Sequence, residues 1–236
     1  MKRIPAVLFC TLLLVPAVSM ARPYGHHRDR YYDDDRGGGG GFLDLTYVAN
    51  ETEKYTQDDP SGHTADQGTG DGFGIRGLAY ANTGLALEGE YRSASHDFST
   101  FSGDTDASRI GIGWVAPTTS GFFIEWNKLK FTDTTAGTPS TFSMDGWAIR
   151  GRLAGDVAPQ VQIFGEAAYA NLKDNFDTDW TGPEFFAGAS VALSENLSLI
   201  ADYRIRELRA NDAPTATTFN ERFNAVELGA RFTFGR

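Results

Sequence analysis

The sequence predicts an all-β protein, a closed antiparallel transmembrane β-barrel of about ten strands, with eight strands as the alternative. Three observations predict this fold: apolar and charged residues alternate with period two from residue 42 onward, short and long connections alternate, and aromatic residues form two bands on the apolar face. No segment after residue 21 has the roughly 18 apolar residues that a transmembrane helix needs. A closed barrel also satisfies every backbone polar group within lipid.

The first 21 residues predict a cleaved signal peptide. Lys2 and Arg3 precede an apolar stretch that ends in Ser19-Met20-Ala21, with small residues at the positions that a signal peptidase reads. Cleavage after Ala21 removes those two cations and no acid, so the net charge changes from −10 to −12. It also removes Cys10, which leaves no cysteine for a disulfide. Such negative charge argues against a nucleic-acid-binding role.

Residues 22–41 predict a disordered lead-in before the barrel, which is predicted to span residues 42–236. The lead-in reads RPYGHHRDRYYDDDR followed by five glycines, a composition that cannot bury a core. Metal binding by His26, His27 and Asp33-Asp34-Asp35 is an alternative interpretation of this segment. The prediction for the whole chain is nevertheless no metal site and no cofactor.

Ten strands are predicted, and each is close to the 9–11 residues with which a tilted strand crosses a bilayer. Their predicted bounds are 42–49, 72–82, 85–95, 107–116, 121–131, 143–154, 160–171, 183–193, 197–208 and 223–234. The connections at 82–84, 117–120, 155–159 and 194–196 are short. Those at 50–71, 96–106, 132–142, 172–182 and 209–222 are long. Short periplasmic turns and longer extracellular loops are typical of bacterial transmembrane barrels.

Each predicted strand has an apolar face and a charged face, because successive side chains of a strand point to opposite sides. On the apolar face, Trp114 and Phe122 lie near the short connections, whereas Tyr47, Tyr91 and Trp147 lie toward the long ones. Two such aromatic bands are typical of a surface that meets lipid. A soluble β-sandwich, in which the apolar face would be the core, is the alternative.

The charged face predicts a lumen lined by arginine and carboxylate side chains in nearly equal number. Arginine suits such sites, since its planar guanidinium meets carboxylates with two parallel hydrogen bonds. A network of this kind at mid-height predicts a structural plug, and a selectivity constriction in a small pore is the alternative. The predicted network contains Arg76, Glu88, Glu90, Arg92, Arg109, Glu125, Arg150, Arg152, Glu166, Asp202, Arg204, Arg206, Glu227 and Arg231, and Glu184 lies on the same face.

The last predicted strand alternates and ends on an aromatic residue, with Val226, Leu228, Ala230, Phe232 and Phe234 on one face. With the features above, residues 42–236 resemble the small OmpA/OmpX-like outer-membrane β-barrel proteins of Gram-negative bacteria. The resemblance is architectural. It implies location in the outer membrane beside lipid and lipopolysaccharide, and recognition of the last strand by the barrel-assembly machinery. Two features depart from the family: Gly235-Arg236 follow the final Phe, and the best-known members have eight strands.

The sequence predicts a structural or surface-interaction role and no enzymatic activity, with a small pore second and a hydrolase third. The ten-stranded outer-membrane proteases use paired aspartates and an Asp/His pair at the outer rim, and Asp58-Asp59 matches only the first pair. Lipid A deacylases need His and Ser on one wall, but Ser95 and His96 are adjacent and face opposite ways in a strand. His63 and His96 are predicted to be solvated loop residues.

The predicted long loops hold most of the net negative charge, above all the segments 50–71 and 96–106. Solubility of exposed loops explains this charge. The functional alternative is weak, salt-sensitive attraction of divalent cations or of a cationic partner, since hard cations prefer carboxylate oxygens.

Overall fold

The computed structural model describes residues 39–99, 102–116, 120–133, 140–212 and 217–235. The predicted signal peptide 1–21, its cleavage after Ala21, and residues 22–38 of the predicted lead-in lie outside the described residues. Within these described ranges, no helix is long and apolar enough to cross a membrane.

Ten antiparallel strands close into one barrel, which confirms the predicted fold class and the count of ten. Each strand pairs with its neighbours in the chain, and β1 pairs with β10 to close the barrel. The strands are β1 Gly40–Asp59, β2 Gly62–Tyr80, β3 Leu85–Asp97, β4 Ser102–Val115, β5 Gly121–Asp133, β6 Ser140–Ala158, β7 Val161–Asp174, β8 Asp179–Ala192, β9 Leu197–Asp212 and β10 Thr217–Phe234.

The strands extend further than predicted at one end of the barrel. We call this the upper end; the lower end holds the short turns and both ends of the described barrel chain. Most of the predicted loop 50–71 belongs to β1 and β2, which meet at the tight turn Pro60-Ser61. Both faces of this hairpin extension are largely polar, so the apolar alternation that marks a strand is lost. Its backbone ladder continues from Thr52 to Asp59 all the same.

Strand β1 contains a β-bulge at Asn50. Ala49 and Thr52 lie opposite Val226 and Asn224, so β1 uses one more residue than β10 over this step. The same shift occurs against β2, and Asn50 has a φ of 51°. A bulge adds one unpaired residue and reverses the alternation beyond it.

The outer face of the barrel is apolar, and the charged face lines the lumen. Large side chains such as those of Leu87, Ile112 and Ile124 are more than half exposed. Tyr47 and Tyr91 border this band toward the upper end, and Trp114 toward the lower end. An exposed apolar band between aromatic residues excludes the soluble sandwich and is the surface that a lipid-facing barrel needs.

Three layers of inward-facing side chains follow one another along the barrel. The lower cluster is apolar and contains Phe42, Leu78, Ala86, Val115 and Phe123. The upper cluster, also apolar, includes Leu129, Met144, Leu172, Trp180 and Leu208. Between them lies a layer that we call the charge belt, consisting of Arg76, Glu88, Glu90, Arg109, Glu125, Arg150, Arg152, Glu166, Glu184 and Arg204.

Candidate functional site

Glu166, on β7, is the carboxylate with most arginine neighbours in the charge belt. It accepts hydrogen bonds from Arg152 Nη1 at 2.9 Å and from Arg150 Nη1 at 3.0 Å, and it contacts Arg76. Arg109 Nη2 lies 3.8 Å from its Oε2. These arginines come from β2, β4 and β6, so one buried carboxylate connects four strands across the lumen.

The remaining belt carboxylates are paired in the same way. Arg150 Nε donates to Glu125 Oε1 at 2.8 Å, and its Nη2 reaches Glu184 Oε2 at 3.4 Å. Arg109 Nη2 lies 3.0 Å from Glu88 Oε1 and 2.7 Å from Glu90 Oε2. Arg204 meets both oxygens of Glu90. Every glutamate of the belt therefore has an arginine nitrogen within hydrogen-bond distance.

Aromatic rings pack against the arginines of the charge belt on the side of the lower end. Arg76 and Arg204 each lie over the ring of Phe186 with 5.0 Å from guanidinium carbon to ring centroid. The guanidinium of Arg152 lies 4.9 Å from the ring of Phe42. Because cations over aromatic faces are attracted by the ring quadrupole, these rings stabilise charges that have lost their water.

A small void lies in this layer. It is lined by Asp44, Arg76, Glu90, Asp202 and Arg204 and has a volume of about 10 Å³. That is room for about one water molecule.

Five residues of the predicted network lie outside the belt as defined. Arg231 is lower, with Nε and Nη2 at 2.7 and 2.8 Å from the two oxygens of Asp44. Arg92 and Arg206 are higher, and Glu227 lies 3.7 Å from Arg92 and accepts a hydrogen bond from Thr46. Asp202 is buried and lines the small void.

The residues of the predicted assembly signal lie on the outer face of β10. Val226, Leu228, Phe232 and Phe234 are exposed, and Ala230 is partly exposed between them. Their recognition by the assembly machinery stays a prediction.

Several buried ionisable side chains above the belt were not predicted from the sequence. His96 was predicted to be a solvated loop residue, and this is wrong: it is 1% exposed, with Nε2 3.1 Å from Glu51 Oε1. The reason is that β3 continues to Asp97 and keeps His96 on the inward face. Glu51, Glu53 and Glu221, which were assigned to loops, also lie inside. Continuing the alternation past Arg92 would have found His96.

A cavity of about 360 Å³ lies in the barrel above the belt, and we call it the vestibule. Trp180, Phe142 and Tyr55 line one side, and Phe98 and Phe131 line another. The Trp180 indole is fixed because its N–H donates to Asp174 Oδ2 at 2.9 Å. Cavities of 300–1,000 Å³ with apolar walls and few polar groups are typical of small-molecule sites.

Carboxylates and one arginine line the vestibule on the side of the belt. Arg206 Nη2 donates to Glu221 Oε1 at 2.6 Å, and Glu53 Oε2 accepts from the Thr105 hydroxyl at 2.8 Å. Glu53 lies six residues beyond Tyr47, roughly 15 Å above the aromatic border for a tilted strand. Burial, followed by the nearby charge of Glu221, raises the pKa of Glu53 to about 7.

The upper rim carries an Asp–His pair that the sequence did not predict. His63 Nδ1 lies 2.5 Å from Asp58 Oδ1 across the β1–β2 hairpin, and both side chains are exposed. Across the described ranges, no group of three or more His, Cys, Asp or Glu side chains is placed to hold a metal ion.

No family model matches the sequence, and no curated protein matches it. Among solved structures, the outer membrane protease OmpT from Escherichia coli is similar, with a TM-score of 0.51, 8% identity, and coverage of 83% of this chain and 97% of that one. The translocator domain of the autotransporter NalP from Neisseria meningitidis matches with a TM-score of 0.42, 12% identity, and coverage of 85% and 90%. The likeness to OmpT shows the fold alone. The chain thus has the closed ten-stranded fold of outer-membrane β-barrels.

Proposed function

We propose that the protein is exported with a signal peptide, which is then cleaved, and that it inserts in the outer membrane as a closed barrel. There it has a structural or surface-interaction role and no enzymatic activity. In this role the lumen is plugged, and the upper end presents the functional surface. Lipid, lipopolysaccharide and the barrel-assembly machinery are its proposed partners.

The observation that carries the proposal is the layer of buried ion pairs that crosses the barrel at the charge belt. Guanidinium and carboxylate groups from eight strands, β2 to β9, meet there, and the void beside Arg76 and Arg204 has a volume of about 10 Å³. A barrel with few strands is filled by its own side chains, whereas sixteen or more strands leave an aqueous channel.

Opening this layer would require breaking buried ion pairs. Glu166, Arg150 and Arg152 are each 5% exposed or less. Removing one partner from such a pair leaves an uncompensated buried charge, which typically costs about 3–5 kcal/mol. The belt therefore favours a closed lumen over a path that opens by thermal motion.

The experiment is single-channel recording with the chain folded in detergent and inserted in a planar lipid bilayer. The wild type should give no steady conductance. Arg76→Ala combined with Arg204→Ala removes two of the long side chains that line the small void, and this double variant should give conductance steps. Glu195→Gln, at an exposed short turn, is the matched control and should behave as wild type. Steady, ion-selective conductance in the wild type would overturn the plug and favour the small pore.

A further inference from the structure

The geometry points to the vestibule as a binding site for a small organic cation, an ammonium group attached to an aromatic or aliphatic body. The proposal concerns a different layer from the plug, so it does not depend on whether the belt conducts. Three features of the cavity carry it: its aromatic walls, its surplus of carboxylates, and one buried carboxylate oxygen without a partner.

The aromatic walls form two connected sets around the cavity. Tyr55, Phe219, Trp180 and Phe142 follow one another with ring centroids 6.0–6.1 Å apart. Phe98 and Phe131 meet edge-on at 5.8 Å on the other side. Aromatic faces attract an ammonium group and also provide apolar contact for the body of the ligand.

The charged groups of the cavity favour a cation over an anion. Glu53, Asp66 and Glu221 line it against Arg206 and Lys130, so the carboxylates are in excess. Arg206 is already held by Glu221 and lies over the ring of Phe223 at 5.0 Å. Lys130 is exposed, so its charge is screened by solvent.

Glu221 supplies the hydrogen-bond acceptor for the proposed ammonium group. It is 4% exposed, and its Oε1 accepts the hydrogen bond from Arg206. Its Oε2 is buried and has no hydrogen-bond partner among the described residues. A buried acceptor without a donor is costly, so a turn of the Glu221 carboxylate that presents Oε2 to an ammonium N–H in the cavity would be favoured. The nearby Glu53 adds a second carboxylate within the same cavity.

The ionisation of Glu53 gives the site a pH dependence. The groups that face Glu53 are Glu221 on β10, His96 on β3, Thr105 on β4 and Arg206 on β9. With a pKa of about 7, Glu53 is mostly neutral at pH 6 and mostly ionised at pH 8. Binding of an ammonium ligand that stays protonated over this range should therefore tighten by up to about tenfold between these pH values.

The test is isothermal titration of the full chain, folded in detergent at low salt, with three probes of one shape: benzylammonium, benzyl alcohol and benzoate. Benzylammonium should bind at least tenfold more tightly than either of the others. Glu221→Gln keeps an acceptor for Arg206 but removes the charge, and it should weaken benzylammonium about tenfold while leaving benzyl alcohol unchanged. Glu195→Gln removes one distant exposed charge and should change nothing.

Two further variants test the pH dependence and the location of the binding site. Glu53→Gln should remove the pH dependence. Met144→Trp should fill the cavity and abolish binding of benzylammonium, and the variant should still fold, which is checked by different migration on a gel before and after boiling. The proposal is overturned if benzylammonium does not bind, if benzyl alcohol or benzoate binds as tightly, or if Glu221→Gln behaves as Glu195→Gln. Conductance is not used in this test, so its outcome is separate from that of the plug.

Discussion

The charge belt and the vestibule lie in the same barrel, and both contain buried carboxylates, but the two layers balance them differently. In the belt, each glutamate has an arginine nitrogen within 3.4 Å. In the vestibule, Glu221 has Arg206 at 2.6 Å, but Glu53 has only the hydroxyl of Thr105 and His96 at 4.0 Å among its described partners.

This difference separates a layer in which each carboxylate is neutralised by arginine from a layer in which carboxylates are in excess. In the belt, the void beside Arg76 and Arg204 has a volume of about 10 Å³. In the vestibule, the walls change to aromatic residues and about 360 Å³ remains. Buried carboxylates therefore lie in different surroundings at two heights of one barrel, and four experiments test the contrast.

The largest effect is expected from removing a belt charge. Glu166→Gln should lower the free energy of unfolding by about 3–5 kcal/mol, because Arg76, Arg150 and Arg152 would keep their buried charges without this counter-charge. Urea unfolding in phospholipid vesicles measures it, with Glu195→Gln as the control that should show no measurable change. Equally small effects of both variants would mean that the belt is solvated.

A smaller difference is expected between two leucines of the apolar clusters. Leu78→Ala, in the tightly packed lower cluster, should cost about 4 kcal/mol, whereas Leu129→Ala, beside the existing cavity, should cost about 2 kcal/mol. The same unfolding measurement compares them. Equal losses would show that the vestibule walls are packed as tightly as the lower cluster.

A third effect depends on pH. The pKa of Glu53 is raised to about 7 in the folded chain and is near its usual 4.5 when unfolded. Between these values the folded state holds the proton more tightly, so stability should fall as pH rises from about 5 to 7, by on the order of 1–3 kcal/mol.

Unfolding measured from pH 5 to 8 should show a shallower loss in Glu53→Gln. The pKa of His96 is also raised, because the hydrogen bond and charge of Glu51 outweigh burial, and its contribution has the same sign. The difference between wild type and Glu53→Gln isolates the carboxylate. Identical slopes would show that Glu53 titrates normally.

The smallest effect is expected at the tip of the β1–β2 hairpin. We propose that Asp58, Asp59 and Asp66 attract calcium or magnesium weakly, since their charges are exposed and screened within about 8 Å at physiological ionic strength. Hydrogen bonds from Ser61 keep the pKa of Asp59 below its usual value. Titration with calcium should detect weak binding at low salt that vanishes after all three are changed to Asn. A tight stoichiometric site would contradict this expectation.

Much of the fold was predictable because the lipid-facing band imposes a strict pattern. Residues such as Ile110, Ile112 and Trp114 must be apolar to face lipid, and the charged residues between them must then face the lumen. This one constraint predicted ten strands, the short turns and the inward side of the belt residues.

The vestibule was not predictable by the same argument. Above the aromatic border the outer face meets water, so both faces of the strands can be polar and the apolar alternation disappears. Glu51, Glu53 and Glu221 therefore looked like loop residues, although they are inside the barrel. Asp44 was missed for another reason: its strand was predicted, but its inward carboxylate was left out of the network.

The bulge at Asn50 has an evolutionary consequence. Below it, even-numbered residues of β1 such as Phe42 and Asp44 face the lumen, and above it odd-numbered residues such as Glu51 and Glu53 do. Loss of the single codon for Asn50 would remove the bulge and join Ala49 directly to Glu51, so the strand would alternate regularly and Glu51, Glu53 and Tyr55 would still face inward. One residue can thus be gained or lost at this point without turning any side chain of the vestibule wall to the other face. Related barrels could vary the length of this strand here while keeping both the lipid-facing positions and the acidic wall.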